Sequence, residues 1–263
     1  MSSETDVVII GAGASGLSAA KELKRLGFTT TVVEGSHRIG GRAYSEEIAP
    51  GVWFDLGCSY LHQGEINPFV PIADELGVTI GKDKGNLFEK DKSRHYRNGT
   101  LLSTFESAAY LGYILDCHSA IIQAAEQGKD IAIADLVDME SPYAVPYMAN
   151  MAGLMTLDID QASAMDYASS DGGADIPILN GYGNLVKQWG ADVKVSLNTK
   201  VEKIDWSGSG VSIETSKGTI RGRTVLSTVS NGILGAGEIL FDPVLPDWKM
   251  DAILGLPTGT ENK

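Results

Sequence analysis

The chain has 263 residues, enough for one large domain or two modest ones. Hydrophobic residues make up 43% and charged residues 21%, with 31 glycines, which suits a water-soluble α/β protein with many tight turns. A formal net charge of −13 argues against nucleic acid or an anionic membrane as the main partner, since both attract basic surfaces.

Val7–Ile10 is a short apolar run closed by Gly11, the pattern of a buried parallel strand. From about Ser15 to Leu26, Leu17, Ala20, Leu23 and Leu26 recur at helical spacing, and Gly27 supplies a stop. Thr29–Val33 predicts a second strand, so the first 34 residues form a β-α-β unit with a right-handed crossover. Gly11-Ala12-Gly13-Ala14-Ser15-Gly16 is G-x-G-x-x-G, a weak signal alone. Here it follows a strand, opens a helix and has Glu34 at the end of the next strand, which is the context of a dinucleotide site. Gly11 permits the tight turn, Gly13 lets the backbone approach a pyrophosphate, and Gly16 lets helix and strand pack closely. The helix N-terminus offers free N–H groups and a partial positive charge. Glu34 accepts from ribose hydroxyls and repels a 2′-phosphate, which favours FAD or NAD over NADP. Arg38-Ile39-Gly40-Gly41-Arg42 follows: the glycine pair lets the chain pass close to phosphates, and Arg42 can neutralise them. An NAD dehydrogenase has no need of that arm, so the reading turns to flavin.

Further along, residues 68–80 and 101–128 read as helices, the first entered through Asn67-Pro68. Strand character returns after Asn180, with Lys200–Trp206, Val211–Thr215, Thr219–Arg223 and Val225–Val229 separated by turn residues. Cys58 and Cys117 are too few and too far apart for a disulfide scaffold or zinc site, and His37, His62, His95 and His118 lack ligand spacing, so no metal is expected. The start of the chain carries Glu4 and Asp6 instead of a basic signal region, and no apolar run nears the roughly 20 residues of a membrane span. A soluble, cytoplasmic protein is the expectation. Asn98-Gly99-Thr100 matches a glycosylation sequon, a pattern that arises often by chance.

Taken together, E-x-x-x-R-x-G-G-R after a Rossmann start resembles the flavin-dependent amine oxidases of the monoamine, polyamine and L-amino-acid oxidase type. "FDLGCSYLHQ" followed by Asn67-Pro68 is similar to that family's D-x-G-x-x-W-[IL]-H-G…NP segment. "LNGYGNLVKQW", "VSLNTKVEKIDWSGSGVSIETSKG" and "VLSTVSNGIL" are similar to its second FAD segment. The resemblance implies an α/β fold: a Rossmann-like FAD-binding domain from two separated segments, 1–75 and 179–231, with a mostly helical substrate domain, 76–178, inserted. Residues 232–263 would start the substrate-domain sheet, with the C-terminal part of the family fold missing. It also implies that Gly11, Gly13, Ser15 and Gly16 hold the pyrophosphate, with Gly40, Gly41 and Arg42 along it and Glu34 at the adenosine ribose. Leu56 and Gly57 would lie along the flavin ring, Val201 would hold the adenine through its backbone, and His62 would stand at the mouth of the substrate cavity. Cys58 and Tyr60 depart from the family's glycine or alanine and tryptophan, and Ser230-Asn231 from its Pro-Leu. Cys58 reads as a buried unreactive thiol in preference to a covalent flavin attachment point.

The chain closes on "ILGLPTGTENK", and its last lysine, Lys263, aligns with the family lysine that hydrogen-bonds a water beside flavin N5. Residues from about Gly235 onward are expected to lack sheet partners, and an unpaired edge of that kind invites association. Either the sequence is a fragment or a second chain supplies the rest. The implied reaction is oxidation of an amine to an imine, with dioxygen reduced to hydrogen peroxide. The alternatives are another flavoprotein oxidase or desaturase of the superfamily, or a non-catalytic fragment that binds FAD or a partner.

Overall fold

The computed structural model describes residues 5–82, 94–170 and 172–259. In chain order, β1 (Thr5–Ile10), α1 (Ala14–Arg25) and β2 (Thr30–Val33) are followed by a hairpin of β3 (Ser45–Ala49) and β4 (Val52–Asp55), then β5 (Tyr60–Leu61) and α2 (Phe69–Glu75). β6 (Tyr96–Arg97), β7 (Thr100–Leu101), the long α3 (Thr104–Glu126), α4 (Ala144–Met155) and α5 (Ala164–Ser170) come next. The chain then runs through β8 (Ile176–Pro177), α6 (Tyr182–Trp189), β9 (Val195–Ser196), β10 (Val201–Asp205), β11 (Val211–Thr215), β12 (Gly218–Ser227), α7 (Asn231–Gly235), β13 (Leu240–Asp242) and α8 (Asp247–Leu254). Two compact units result, described residues 5–82 with 176–257, and 94–175 with 258–259. Among the described residues no helix is long and apolar enough to cross a membrane.

The first unit is built on a seven-stranded sheet of order β13-β10-β11-β12-β1-β2-β9. β12, β1, β2 and β9 run parallel, while β10, β11 and β12 form an antiparallel meander. Alternation along β1 sends Val7 and Ile9 to one face, with Leu17, Ala20 and Val186, and Val8 and Ile10 to the other, with Val33, Val201 and Ile213. Both faces are therefore covered, as the unbroken apolar run of β1 requires. Gly27 has φ +85°, and the N–H of Phe28 donates back to the Leu23 carbonyl, which ends α1.

The second unit is helical. Ser103 and Glu106 form a reciprocal capping box that starts α3. Cys117 and Ile121 of α3 pack with Ile133, Tyr147, Met151 and Ala164 in one core.

Three expectations are corrected. The helix expected over 68–80 stops at Glu75, because Gly77 has φ +66° and the Val78 N–H folds back to the Ala73 carbonyl. Thr219–Arg223 and Val225–Val229 belong to a single strand ending at Ser227, since β1 takes over as neighbour where β11 leaves off. The region after Gly235 does have a sheet partner: Leu240–Asp242 pairs parallel with Lys203–Asp205.

Candidate functional site

The turn after β1 is made by glycines with different reasons to be glycine. Gly11 has φ +102° and donates its N–H to the Val33 carbonyl at 2.8 Å. A Cβ at Gly16 would lie 1.9 Å from the Gly11 carbonyl oxygen, a clash of backbone with backbone. At Gly13 the nearest atom to such a Cβ is 3.9 Å away, on Gly41, so a side chain there would make only ordinary van der Waals contact with the chain beside it. Gly13 is also the N-cap of α1, which has no side-chain cap and no acid in its first turn. Ser15, in that turn, is exposed. A concave backbone with free N–H groups at a helix N-terminus is what an anionic phosphate requires.

Glu34 lies beside this turn. One carboxylate oxygen accepts the Ala12 N–H at 2.8 Å and the other accepts the Ser36 N–H at 2.8 Å. A carboxylate has about four acceptor sites, so about two remain for ribose hydroxyls. The Arg38–Arg42 arm then lies on the turn: the Gly40 N–H donates to the Ala12 carbonyl at 2.8 Å, and a Cβ on Gly41 would stand 3.2 Å from Gly13 Cα. Gly40 and Gly41 have φ of +100° and +57°, which accounts for the pair. The two arginines have separate jobs. Arg38 donates to the Gly41 carbonyl at 2.9 Å and stacks 4.0 Å over the Tyr44 ring, which holds the arm in shape. The Arg42 side chain is exposed and makes no hydrogen bond or ion pair among the described residues, which leaves its guanidinium for an anion, while its carbonyl accepts the Cys58 N–H at 3.2 Å.

Leu56 and Gly57 are set against this arm by backbone contacts. The Leu56 N–H donates to the Tyr44 carbonyl at 2.9 Å, and a Cβ at Gly57 would fall 1.7 Å from the Arg42 carbonyl oxygen. Val201, buried at the start of β10, is tied to Glu34 through the adjoining chain, where the Thr199 N–H donates to the Glu34 carbonyl at 2.8 Å. Gly11, Gly13, Ser15, Gly16, Glu34, Gly40, Gly41, Arg42, Leu56, Gly57 and Val201 are thus linked through one backbone framework. His62 is exposed and follows β5; its carbonyl accepts from the Asn67 side chain at 2.8 Å, while Asn67 caps α2 through the Phe69 N–H. Lys263 lies outside the described residues.

Some positioning residues were not singled out from the sequence, although Asp55 and Thr228 lie inside the quoted family segments. Asp55 accepts the Tyr182 N–H at 2.8 Å and the Ser45 hydroxyl, and Ser45 accepts the Gly183 N–H at 2.7 Å. These two side chains cap α6 from a distance of more than 120 residues, a relation that local spacing cannot show. Thr228 Oγ1 donates to the Ile10 carbonyl at 2.9 Å and closes the floor under Gly11 and Gly16. Burial pushes the Tyr182 phenol up, with a smaller share from the Cys58 thiol. Cys58 itself is exposed, which corrects the expectation of a buried thiol: it sits in the open bend between β4 and β5. Among the described residues no group of three His, Cys, Asp or Glu side chains could hold a metal ion.

A profile described as NAD(P)-binding Rossmann-like domain matches residues 9–76. A second, described as flavin containing amine oxidoreductase, matches residues 119–263, more than half of the chain. The chain belongs to the flavin-containing amine oxidoreductase family. FAD is accordingly its cofactor, and the open glycine turn, the half-used Glu34 carboxylate and the free Arg42 fit it. Among relatives, probable polyamine oxidase 4 of Arabidopsis thaliana is 28% identical over 99% of this chain and 57% of its own length. Protein FLOWERING LOCUS D of the same plant is 31% identical over all of this chain and 36% of its own. Cyclohexylamine oxidase from Brevibacterium oxydans superposes with a TM-score of 0.71 at 20% identity, over 95% of this chain and 63% of that one, a likeness of fold. The chain thus spans little more than half of the first of these relatives and about a third of the second.

Proposed function

We propose that this chain provides the FAD-binding part, and the start of the substrate domain, of an enzyme that oxidises amines. The observation that carries the reading is the Arg38–Arg42 arm lying on the glycine turn with the Arg42 guanidinium uncommitted. A nicotinamide cofactor leaves at each turnover and needs no such second grip; a flavin stays bound. In this reading 1–75 and 179–231 are the cofactor segments and 76–178 is the substrate-domain insertion. FAD, when bound, supplies the two-electron oxidation of an amine to an imine, with dioxygen as the final acceptor and hydrogen peroxide as product.

The chain's own residues bind and orient. The first turn of α1 (with Gly11, Gly13, Ser15 and Gly16) and Arg42 take the pyrophosphate, flanked by Gly40 and Gly41, and Glu34 takes the ribose hydroxyls. The Val201 backbone takes the adenine, while Leu56 and Gly57 line the ring. His62 stands at the mouth of the substrate cavity, and Lys263 holds a water at the reacting centre. Residues 94–175 contain twelve Asp and Glu against three Lys and Arg, which supports a cationic polyamine as substrate through steering. The reaction is proposed for the protein that carries the rest of the family fold, on this polypeptide or on a second chain.

The test is the visible absorption spectrum of the purified protein, identification of the released cofactor, and peroxide release with putrescine, spermidine, simple alkylamines and L-amino acids. A flavin spectrum, recovered FAD and peroxide with a polyamine are expected. Recovery of NAD, or bound flavin with no peroxide from any amine, would overturn the reading.

A further inference from the structure

A half-open pocket of about 530 Å³ lies between the Arg38–Arg42 arm, the start of β3 and α6. None of the residues of the cofactor framework lines it. Gly183, Asn184 and Lys187 recur at helical spacing, so one face of α6 forms a wall. A Cβ at Gly183 would lie 2.7 Å from Tyr44 Cα, which ties that wall to the chain opposite. The basic side chains of the lining are Arg38, Lys187 and His37, and among the described residues no Asp or Glu joins them. Lys187 and His37 make no hydrogen bond or ion pair among the described residues. Arg38 commits Nη1 to the arm's own carbonyls, at 2.9 Å for Gly41, and its Nε and Nη2 have no hydrogen-bond partner among the described residues. Two acids close by in sequence are engaged: Glu46 accepts the Tyr44 hydroxyl at 2.5 Å, and Asp192 pairs with Lys21.

The chain has 34 Asp and Glu against 21 Lys and Arg, yet here two permanent cations and an imidazole share one concavity with no carboxylate. Lys and Arg side chains only donate, and their charges repel each other until an anion comes between them. The same charges repel a cationic amine, which sets the pocket apart from an amine-substrate site. Ile39, Ala191 and Leu197 supply apolar surface, the mixture in which small molecules are bound. The volume also falls within the roughly 300–1,000 Å³ of ligand sites. We propose that this pocket binds a small organic anion. Lys187, Arg38 and His37 hold its phosphate or carboxylate head, and a compact apolar body rests against Ile39, Ala191 and Leu197. The site is additional to that of the cofactor, and it stands whether or not the protein oxidises amines.

Calorimetric titration tests it, with phenyl phosphate, benzoate and benzyl alcohol as probes. The protein is first saturated with FAD, so that the pyrophosphate groove is already filled. At least one of the two anions should bind with a Kd of about 1 mM or tighter, and benzyl alcohol about tenfold or more weaker. Whichever anion binds more tightly identifies the head group. Lys187 is exposed on α6, so its variants should fold normally. Lys187→Gln should weaken the anion about fivefold and Lys187→Glu further still, while Lys187→Arg should stay within about twofold. Three results would each overturn the proposal: anion binding unchanged in Lys187→Glu, benzyl alcohol bound as tightly as the anions, or no binding of any probe up to about 10 mM.

Discussion

Several glycines of the sheet unit are pressed against backbone, whereas most of those in the helical unit have open space around them. A Cβ at Gly16, Gly57 or Gly183 would lie 1.9, 1.7 or 2.5 Å from a backbone atom of another segment. At Gly112, Gly128 and Gly153 of the helical unit it would meet nothing within 4 Å, although Gly259 is tight against Thr156. The helical unit is held instead by rings: Tyr113 meets Tyr147 edge-on at 5.7 Å, and His95 meets Tyr110 edge-on at 5.1 Å. Side-chain packing can adjust through rotamers, whereas crossing backbones cannot. A region that must bring main-chain N–H groups to a ligand gives up that tolerance, and the glycine surroundings show where it was given up.

The comparison breaks first, if it breaks, at Gly16→Ala. The clash with the Gly11 carbonyl should cost at least about 3 kcal/mol and abolish flavin retention, read by denaturant unfolding and by absorbance of the purified protein. A stable, flavin-loaded variant would mean the turn is looser than it looks. Tyr147→Ala, at a ring only 3% exposed, should cost about 3 kcal/mol through the cavity it leaves, while whatever protein folds keeps its flavin. Loss of flavin in step with Tyr147 would show that the units are not separable in this sense. Gly112→Ala, in the middle of α3 with free space around it, should stabilise by about 0.5–1 kcal/mol, so the same substitution has opposite signs in the two units. A destabilised G112A protein would extend the tight regime into the helices.

The smallest effect concerns how the sheet unit is sewn together at its rim. The Thr29 hydroxyl and N–H, with the Arg223 guanidinium, hold the half-buried Asp6 carboxyl at about 2, below its ordinary 3.8. The folded value lies below the unfolded one, so the contribution is present above pH 3.8 and is lost as pH falls through about 2. Asp6→Asn should flatten the acid limb of stability in that window, followed by tryptophan fluorescence. An unchanged limb would mean that solvent screens the cluster fully.

What the sequence determined by itself is whatever a few tens of residues decide among themselves. The strand–glycine turn–helix–strand order up to Glu34, the Gly-Gly arm after it and the long helix around Cys117 all follow from local periodicity and backbone freedom. Hence the glycine turn, Glu34 and the Gly-Gly arm were legible from spacing, while Leu56, Gly57 and Val201 came only from the family resemblance. The tertiary structure decided what depends on partners far along the chain. It assigned Asp55 and Ser45 to the N-terminus of α6, gave Arg38 to the arm and left Arg42 free. It put Leu240–Asp242 at the edge of the sheet, exposed Cys58, and made one long strand of Gly218–Ser227 with half of one side open. Local propensity shows that a segment is a strand or a helix start. Which distant segment satisfies its outward-facing N–H and C=O groups is settled only when the intervening loops close and the hydrogen-bonding groups are matched across the assembled sheet.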